Sequence, residues 1–392
     1  MLRRYILLRH PKARLGELGS RSGRRVLRLD EIEVRSGEQV PSRTTDETII
    51  ASAPVVPTSL IKPIARANEP VEDGTWGLDA IGVNRSRLDG SGVDVAILDT
   101  GIDSAHEAFS HCDVVERSFV DPGILGDPHG HGTHCAGILF GQTVSGSRIG
   151  VAPGVRRALV GTVLDASGIG STSSLLHGLN WASEQGASVV SVSIGLDFSA
   201  VVDQLLAEGY PAPVATSAAV VAYVRCLRQL EAAASFYAEG GQAGAQMLMV
   251  AAVGNDSLRS VDPRFVVDAS PVAASPQVVA VGAVRKSQSA KAFSLADFSN
   301  NGSDLCAPGV DIVSAKPGGG MTIMSGTSMA TPFVAGVAAL WTQRAGIALQ
   351  SVSEIRARLI GTARRDPDLL TGEPDGLGAG IVVAPTTRED PT

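Results

Sequence analysis

Short apolar runs recur between residues 93 and 284, and longer stretches with helical periodicity separate them. The runs are VDVAIL (93–98), ALVGTVL (158–164), ASVVSVSI (187–194), MLMVAAV (247–253) and VVAVGAV (278–284). They are rich in β-branched residues and almost continuously apolar, which is typical of strands buried on both faces of a parallel sheet. Residues 175–185 and the Ala-rich residues 216–239 have the pattern of crossover helices. We therefore predict an α/β fold with three layers and a doubly wound, mostly parallel sheet.

The first 70 residues have a weaker pattern. Residues 3–9 and 24–34 alternate apolar and charged side chains and predict two strands. Residues 51–70 contain prolines at positions 54, 57, 63 and 70, which predicts an extended linker. We therefore predict a domain boundary near residue 70, with a leader over residues 1–70 and a main domain over residues 71–392.

Composition and charge narrow the class of protein. With 392 residues, of which 44% are hydrophobic and 19% charged, the chain is able to bury a large core. The leader carries 13 Lys or Arg and 8 Asp or Glu, so its net charge is positive. Because the whole chain has a net charge of −7, residues 71–392 carry a net charge of −12. Nucleic-acid binding would need a clustered basic face on the main domain, and the sequence contains no such cluster there.

The N-terminus and the cysteines bear on the compartment. The start, MLRRYILLRHPKAR, has only four apolar residues in a row, too few for a secretory signal, so the cytoplasm is favoured although export by another route stays open. No run reaches the roughly eighteen apolar residues that a membrane span requires. The four cysteines, at positions 112, 135, 226 and 306, have no metal-ligand spacing and are expected to be free thiols.

Two polar side chains follow predicted strands at their carboxyl ends, where doubly wound sheets carry their reactive groups. Asp99 comes directly after the run 93–98, and Asn255 follows the run 247–253 after one glycine. A carboxylate at such a position could orient a base, and an amide could donate a hydrogen bond to an oxyanion. Taken alone, each residue would fit an ordinary turn better.

A histidine and a serine complete the candidate chemistry. GHGTHCAG (130–137) places His131 at the start of a segment of small residues, which lets a helix approach the sheet closely. Histidines at 129, 131 and 134 raise the alternative of a zinc site, but neither an HExxH pattern nor paired cysteines accompany them. In SGTSMATP (325–332) Ser328 opens an apolar helix, where backbone N–H groups stabilise negative charge. The alternative is that Ser325 or Thr327 only caps a core helix.

These residues occur in the order Asp, His, Ser, and here the sequence resembles a known family. VAILDTGID, HGHGTHCAG and SGTSMATP resemble the three signatures of the subtilisin-like serine proteases, and AAVGN resembles their oxyanion asparagine motif. The resemblance extends over roughly residues 75–385. It implies that Ser328 is the nucleophile, His131 the general base and acid, and Asp99 the group that orients the imidazole. It also implies that Asn255 and the N–H of Ser328 form the oxyanion hole.

The resemblance further implies an extended polypeptide substrate. LDASGIGSTS (164–173) and SIG (193–195) are similar to family segments that bind the substrate as an added strand, which indicates Gly168, Ile169, Gly170, Ser193, Ile194 and Gly195 as substrate-binding residues. The alternative is that these segments are ordinary loops. The leader resembles the family's inhibitory propeptides in position and length, although a disordered tail would have the same composition.

Two departures from the family pattern stand out. About thirty additional residues lie within an insertion around residues 197–245, which is expected to form either a rim or lid beside the substrate or a surface helix. Where many members supply an aspartate to a calcium site, this chain has HEAF (106–109), so structural calcium is possible but no ligand is assigned. The chemistry itself requires no cofactor.

The sequence thus predicts a serine endopeptidase that acts through an acyl-enzyme. A peptide ligase or macrocyclase on the same three residues is an alternative, because an amine in place of water would give transfer rather than hydrolysis. An inactive relative that only binds peptides is a second alternative.

Overall fold

The computed structural model describes residues 4–9, 31–36, 49–64, 75–120, 125–240, 246–287, 293–346 and 351–386. The strands before residue 150 are β1 (Arg4–Arg9), β2 (Glu31–Ser36), β3 (Ile49–Pro54), β4 (Pro57–Leu60), β5 (Val95–Asp99), β6 (Asp113–Ser118), β7 (Thr143–Val144) and β8 (Ser147–Arg148). The later strands are β9 (Arg157–Thr162), β10 (Ile169–Ser171), β11 (Val189–Val192), β12 (Ile194–Leu196), β13 (Leu248–Ala252), β14 (Val278–Lys286), β15 (Phe293–Leu295), β16 (Leu305–Pro308), β17 (Ile312–Ala315), β18 (Met321–Met324) and β19 (Leu370–Thr371).

The helices are α1 (Trp76–Ala80), α2 (His131–Phe140), α3 (Thr172–Glu184), α4 (Phe198–Ala207), α5 (Ala212–Ala238), α6 (Thr327–Ala345), α7 (Val352–Gly361) and α8 (Pro374–Leu377). Two short 3-10 helices cover Val83–Arg85 and Glu107–Phe109. None of the helices in the described ranges combines the length and the apolar character needed to cross a bilayer.

The central sheet confirms the predicted α/β class. Its strands lie in the order β19-β15-β14-β13-β11-β5-β9-β6, and β16 also pairs with β14. The pairs β11–β5, β11–β13, β13–β14, β5–β9 and β6–β9 are parallel, whereas β15 is antiparallel to β14. The five predicted apolar runs correspond to β5, β9, β11, β13 and β14. Their β-branched residues suit strands that are covered on both faces.

The side chains of β5 alternate between two hydrophobic cores, one on each face of the sheet, so the sheet is the middle of three layers. Val95 and Ile97 lie in one core together with α2 and α6, whereas Ala96 and Leu98 lie in a second core with α3 and α5. The prediction of crossover helices at 175–185 and 216–239 is therefore confirmed, since α3 and α5 contain these stretches except for their last residues, which are the C-caps.

The leader folds against the main domain. Strands β2, β1 and β3 form an antiparallel sheet in that order, and Ile6 and Leu8 of β1 are buried in the core that contains α3 and α5. Residues 24–30 of the second predicted strand and the predicted boundary near residue 70 lie outside the described residues. Within the predicted Pro-rich linker, the structure instead forms the end of β3 and all of β4, because other strands supply partners for its backbone groups.

Candidate active site

Asp99 and His131 meet at the carboxyl end of β5. Asp99 is the last residue of β5 and accepts a hydrogen bond from the N–H of Thr100, at 2.7 Å. His131 is the first residue of α2, and its Nδ1 lies 2.8 Å from Asp99 Oδ1. Both side chains are buried. Glycine is needed for this approach, since a Cβ on Gly132 would lie 2.1 Å from the carbonyl oxygen of Gly101.

The environment of His131 favours its charged form. Burial acts to lower the pKa of the imidazole, but the neighbouring Asp99 carboxylate outweighs burial and raises the pKa well above its ordinary value. In the part of the chain that the structure describes, the buried Nε2 atom has no hydrogen-bond partner. The pair therefore presents a nitrogen that is able to take up a proton, with a carboxylate behind it to stabilise the resulting charge.

Asp127 organises the turn that leads into α2, and sequence reasoning missed it. Its Oδ1 accepts hydrogen bonds from the Thr100 hydroxyl at 2.7 Å and the N–H of Gly130 at 2.8 Å. Its Oδ2 accepts from both the N–H and the hydroxyl of Thr133, each at 2.7 Å. This carboxylate therefore joins the end of β5 to the start of α2. The only sequence signal was an aspartate shortly before the histidine motif.

Ser328 lies at the second residue of α6 and is fully buried. Its hydroxyl donates to the carbonyl oxygen of Ile61 in the leader, at 3.2 Å. Pro332, four residues further along the helix, has no N–H to donate to the Ser328 carbonyl. That carbonyl instead accepts from the thiol of Cys135 at 3.4 Å and the hydroxyl of Ser193 at 3.5 Å. The start of α6 is thereby tied to α2 and to the segment after β11.

Asn255 faces the same place from the end of β13. Its Oδ1 accepts from the N–H and the hydroxyl of Thr327, both at 2.8 Å. Because this end of the amide is occupied, Nδ2 points the other way and donates to the carbonyl oxygen of Lys62 at 3.0 Å. The asparagine thus presents an uncharged donor to a backbone carbonyl beside Ser328, as an oxyanion hole requires.

The predicted substrate segments enclose strand β4 of the leader. β4 is antiparallel to both β10 and β12, so that Ser59 lies opposite Ile169 on one side and Gly195 on the other. The N–H of Leu60 donates to the Gly168 carbonyl at 2.7 Å. Gly170 pairs with Thr58, and Ile194 pairs with Leu60. Ser193 is the exception among the six predicted residues, since its hydroxyl contacts the carbonyl of Ser328 instead.

Beyond β4 the leader continues across the candidate catalytic residues. The Ile61 carbonyl contacts the Ser328 hydroxyl, and the Lys62 carbonyl contacts Asn255. Ile64 then donates its N–H to the carbonyl of Ser325 at 2.8 Å. Residues 57–64 therefore occupy the groove as an extended chain.

The side chain of His106 is not a calcium ligand. His106 accepts from the N–H of Ala108 through Nδ1 at 3.0 Å, and its Nε2 lies 2.8 Å from the Gly320 carbonyl. An imidazole joined to two backbone groups offers none of the oxygen ligands that calcium prefers. Within the described ranges, three side chains lie close enough to be considered as metal ligands, since the donor atoms of Asp99, His131 and Cys135 lie within 4.8 Å of one another. These residues form the Asp99–His131 pair and the next turn of α2.

His134 has a structural environment. Its Nε2 lies 3.0 Å from the carbonyl of Ile312. Burial, assisted by the positive charge on His131, lowers the pKa of His134 to about 3. It therefore stays neutral over most of the pH range. Because Nε2 of His134 is hydrogen-bonded to a backbone carbonyl, this nitrogen is not directed at a metal ion, and the zinc alternative is not favoured.

The chain is similar to known proteins along most of its length. A model of the subtilase family matches residues 90–380. M-protease of Shouchella clausii is 34% identical over 79% of this chain and 68% of its own length. Subtilisin Savinase of Lederbergia lenta is 36% identical over 69% of this chain and 84% of its own length.

A solved structure resembles the fold. The crystal structure of fervidolysin from Fervidobacterium pennivorans, a keratinolytic enzyme related to subtilisin, matches with a TM-score of 0.63 and 22% identity. The match covers 86% of this chain and 52% of fervidolysin. At this identity the likeness concerns the fold alone, and it agrees with the three-layer α/β architecture.

Proposed function

The chain belongs to the subtilase family of serine-type endopeptidases, and we propose that it hydrolyses peptide bonds of extended polypeptides through an acyl-enzyme. The Ser328 hydroxyl attacks the substrate carbonyl carbon, and its proton passes to Nε2 of His131. Asp99 orients the imidazole and stabilises the imidazolium. The carbonyl oxygen, now negatively charged, receives hydrogen bonds from Asn255 Nδ2 and from the N–H of Ser328.

The second half of the reaction returns the enzyme to its starting state. When the tetrahedral intermediate collapses, the C–N bond breaks and His131 gives its proton to the leaving nitrogen. A water molecule then attacks the acyl carbon while His131 accepts a proton from it. The Ser328 oxygen leaves with that proton, and the new carboxylic acid is released.

The observation that carries this proposal is the path of residues 57–64. A peptide segment lies extended between β10 and β12, and its carbonyl groups contact Ser328 and Asn255. Added-strand binding of this kind uses backbone groups of the ligand and therefore suits many sequences. Such a groove fits a polypeptide substrate.

We further propose that the leader is an intramolecular inhibitor and the first substrate. Because the Ser328 hydroxyl contacts the Ile61 carbonyl, the bond cut is Ile61–Lys62. The contact between Asn255 and the Lys62 carbonyl marks Lys62–Pro63 as the neighbouring alternative. Cutting either bond releases residues 1–61 or 1–62, the larger part of the leader, and leaves the rest of it attached to residues 71–392, the proposed peptidase domain.

Variants of the nucleophile test both proposals. Wild type is expected to lose the leader at a rate independent of protein concentration and to begin at Lys62, whereas Ser328→Ala is expected to remain a chain of 392 residues. Intact mass and N-terminal sequencing measure this. A fluorophosphonate probe should label Ser328 of the processed protein, as mapped by peptide mass. Processing of Ser328→Ala at the wild-type rate, or a processed protein that the probe does not label, would refute the assignment.

A further inference from the structure

The insertion forms an apolar surface that touches the leader upstream of the groove. We call its six buried residues the insertion cluster: Val201, Leu205, Ala215, Ala219, Ala222 and Cys226. Two leader residues, Ala53 and Val56, complete this cluster, and both are fully buried. Helices α4 and α5 therefore provide sites for two apolar side chains that precede β4.

Backbone contacts hold the leader over the insertion cluster. The N–H of Val56 donates to the Thr172 hydroxyl at 3.1 Å, and its carbonyl accepts from the N–H of Thr172 at 3.0 Å. The carbonyl of Pro57 accepts from the N–H of Asp197 at 3.3 Å. These contacts use only backbone groups of the leader, so another peptide could make the same ones. The choice of side chain is then left to the apolar contacts of positions 53 and 56.

The direction of the groove carries any long substrate over the same surface. A peptide that pairs with β10 and β12 in the manner of β4 must run in the same sense, because antiparallel pairing fixes its polarity. Its preceding residues then pass the N-terminal ends of α3 and α4. Once the leader has left, the part of the insertion cluster that Ala53 and Val56 cover is open to these residues.

We infer, on the basis of the proposed peptidase function, that α4 and α5 form an additional substrate-binding site. It takes unfolded polypeptides with small or β-branched apolar side chains five and eight residues before the residue at the position of Ile61, which are the positions of Val56 and Ala53. All six residues of the cluster are uncharged and buried, so a charged side chain at either position would be desolvated without a partner there. The site therefore selects against charge at these two positions.

The two helices also present apolar surface beyond the part that the leader covers. An open groove of about 310 Å³ lies between them, lined by Phe198, Val202, Thr216, Val220 and Tyr223. It shares Ala219 with the insertion cluster and is continuous with it through that residue.

Two peptides separate this site from the catalytic groove. The long peptide has the sequence of residues 53–64 and the short peptide that of residues 58–64, each with a fluorophore and a quencher. For processed wild type, kcat/KM is expected to be about tenfold higher for the long peptide, mainly through a lower KM, since burying one valine is worth roughly that factor. Aspartate in place of Val56 in the long peptide should remove this advantage, and because only the peptide changes, the enzyme cannot misfold.

Enzyme variants assign the effect to the insertion. Ala222→Asp should bring the ratio of the two kcat/KM values close to one, whereas Val221→Asp on the exposed side of α5 should leave the ratio unchanged. Thermal unfolding of each variant is measured alongside. Cleavage of the short peptide with no advantage for the long one would overturn the additional site and leave the peptidase proposal intact. If neither peptide is cleaved, the proposed function fails and the additional site fails with it.

Discussion

The candidate catalytic residues and the leader that covers them are held by different kinds of contact. Asp99, His131 and Ser328 are buried, and side-chain hydrogen bonds and close helix packing set their positions. The leader strand β4 is held mainly by backbone pairing with β10 and β12, helped by a few apolar side chains. The first region depends on particular side chains, whereas the second depends on an extended backbone that many sequences can adopt. A substrate could therefore replace the leader without any change in the residues beneath it.

Prolines and glycines also have different effects in the two regions. Pro332 frees the Ser328 carbonyl for contacts with two other elements, and Gly132 lets α2 approach β5. Both features act on the geometry of the main domain. In the leader, Pro54 and Pro57 flank the two-residue connection between β3 and β4 and stiffen an extended chain.

The largest expected effect comes from the buried region. His131→Ala should lower kcat for the short peptide by a factor on the order of a million, the magnitude found when this residue type is removed from the triad of another family member. The reason is that His131 is the proposed acceptor of the Ser328 proton. Stopped assays with a mass-spectrometric readout measure the residual rate, and thermal unfolding checks that the variant is folded. A loss smaller than tenfold would contradict the assignment of His131.

Removal of Asn255, the proposed oxyanion donor, should have the next largest effect. Asn255→Ala is expected to reduce kcat by a factor of about 10² to 10³, with little change in KM, because the amide acts chiefly on charge that develops in the transition state. Because Asn255 also accepts from Thr327, Thr327→Val serves as a control that removes one of those two bonds and keeps the donor. An equal loss in both variants would show that Asn255 acts through the position of α6 instead.

A smaller effect is expected when an apolar contact that holds the leader in the groove is removed. In a chain that also carries Ser328→Ala, Leu60→Ala is expected to speed cutting of the leader by an added protease of broad specificity about thirtyfold. The truncation removes a buried side chain that stabilises the docked leader by roughly 2 kcal/mol. Because the added protease cuts the leader only when it has left the groove, the rate of cutting rises with the population of that open state. The matched control is Ser59→Ala, because Ser59 is the neighbouring residue and its side chain is only half-buried. This substitution should change the rate less than twofold. Equal rates for the two variants would mean that β4 is not held by its apolar contacts.

The smallest expected effect concerns His134 and acid pH. The pKa of His134 in the folded chain is about 3, below its ordinary value of 6.5, so the unfolded state binds the additional proton as pH falls between these values. Stability that is present above pH 6.5 is therefore lost toward pH 3, with a slope contribution of about 1.4 kcal/mol per pH unit. In a Ser328→Ala background, His134→Gln should reduce the slope of the unfolding free energy against pH by up to that amount. Urea unfolding between pH 4 and pH 6.5 measures it, and unchanged slopes would contradict the shift.

Much of the main domain could be predicted from the sequence. The five apolar runs and the two crossover helices are local patterns, since burial on both faces requires continuous apolar character within a few neighbouring residues. Asp99 and Asn255 were found because they stand at or near the end of such a run, and His131 and Ser328 because each stands near the start of a predicted helix. The structure brings Ser328 and Asn255 to residues 61 and 62 of the leader and pairs Asp99 with His131. The motifs alone implied these arrangements only through resemblance.

Other features were decided by the tertiary structure. Strand β4 forms because β10 and β12, more than a hundred residues away along the chain, offer it two edges. The prolines and small residues of residues 51–70 predicted a linker, and no local pattern could indicate the pairing. Asp127 is likewise an ordinary loop aspartate in the sequence, and it gains its role only where Thr100, Gly130 and Thr133 meet. Periodicity reports what each segment buries, but contacts between distant segments depend on the path of the whole chain.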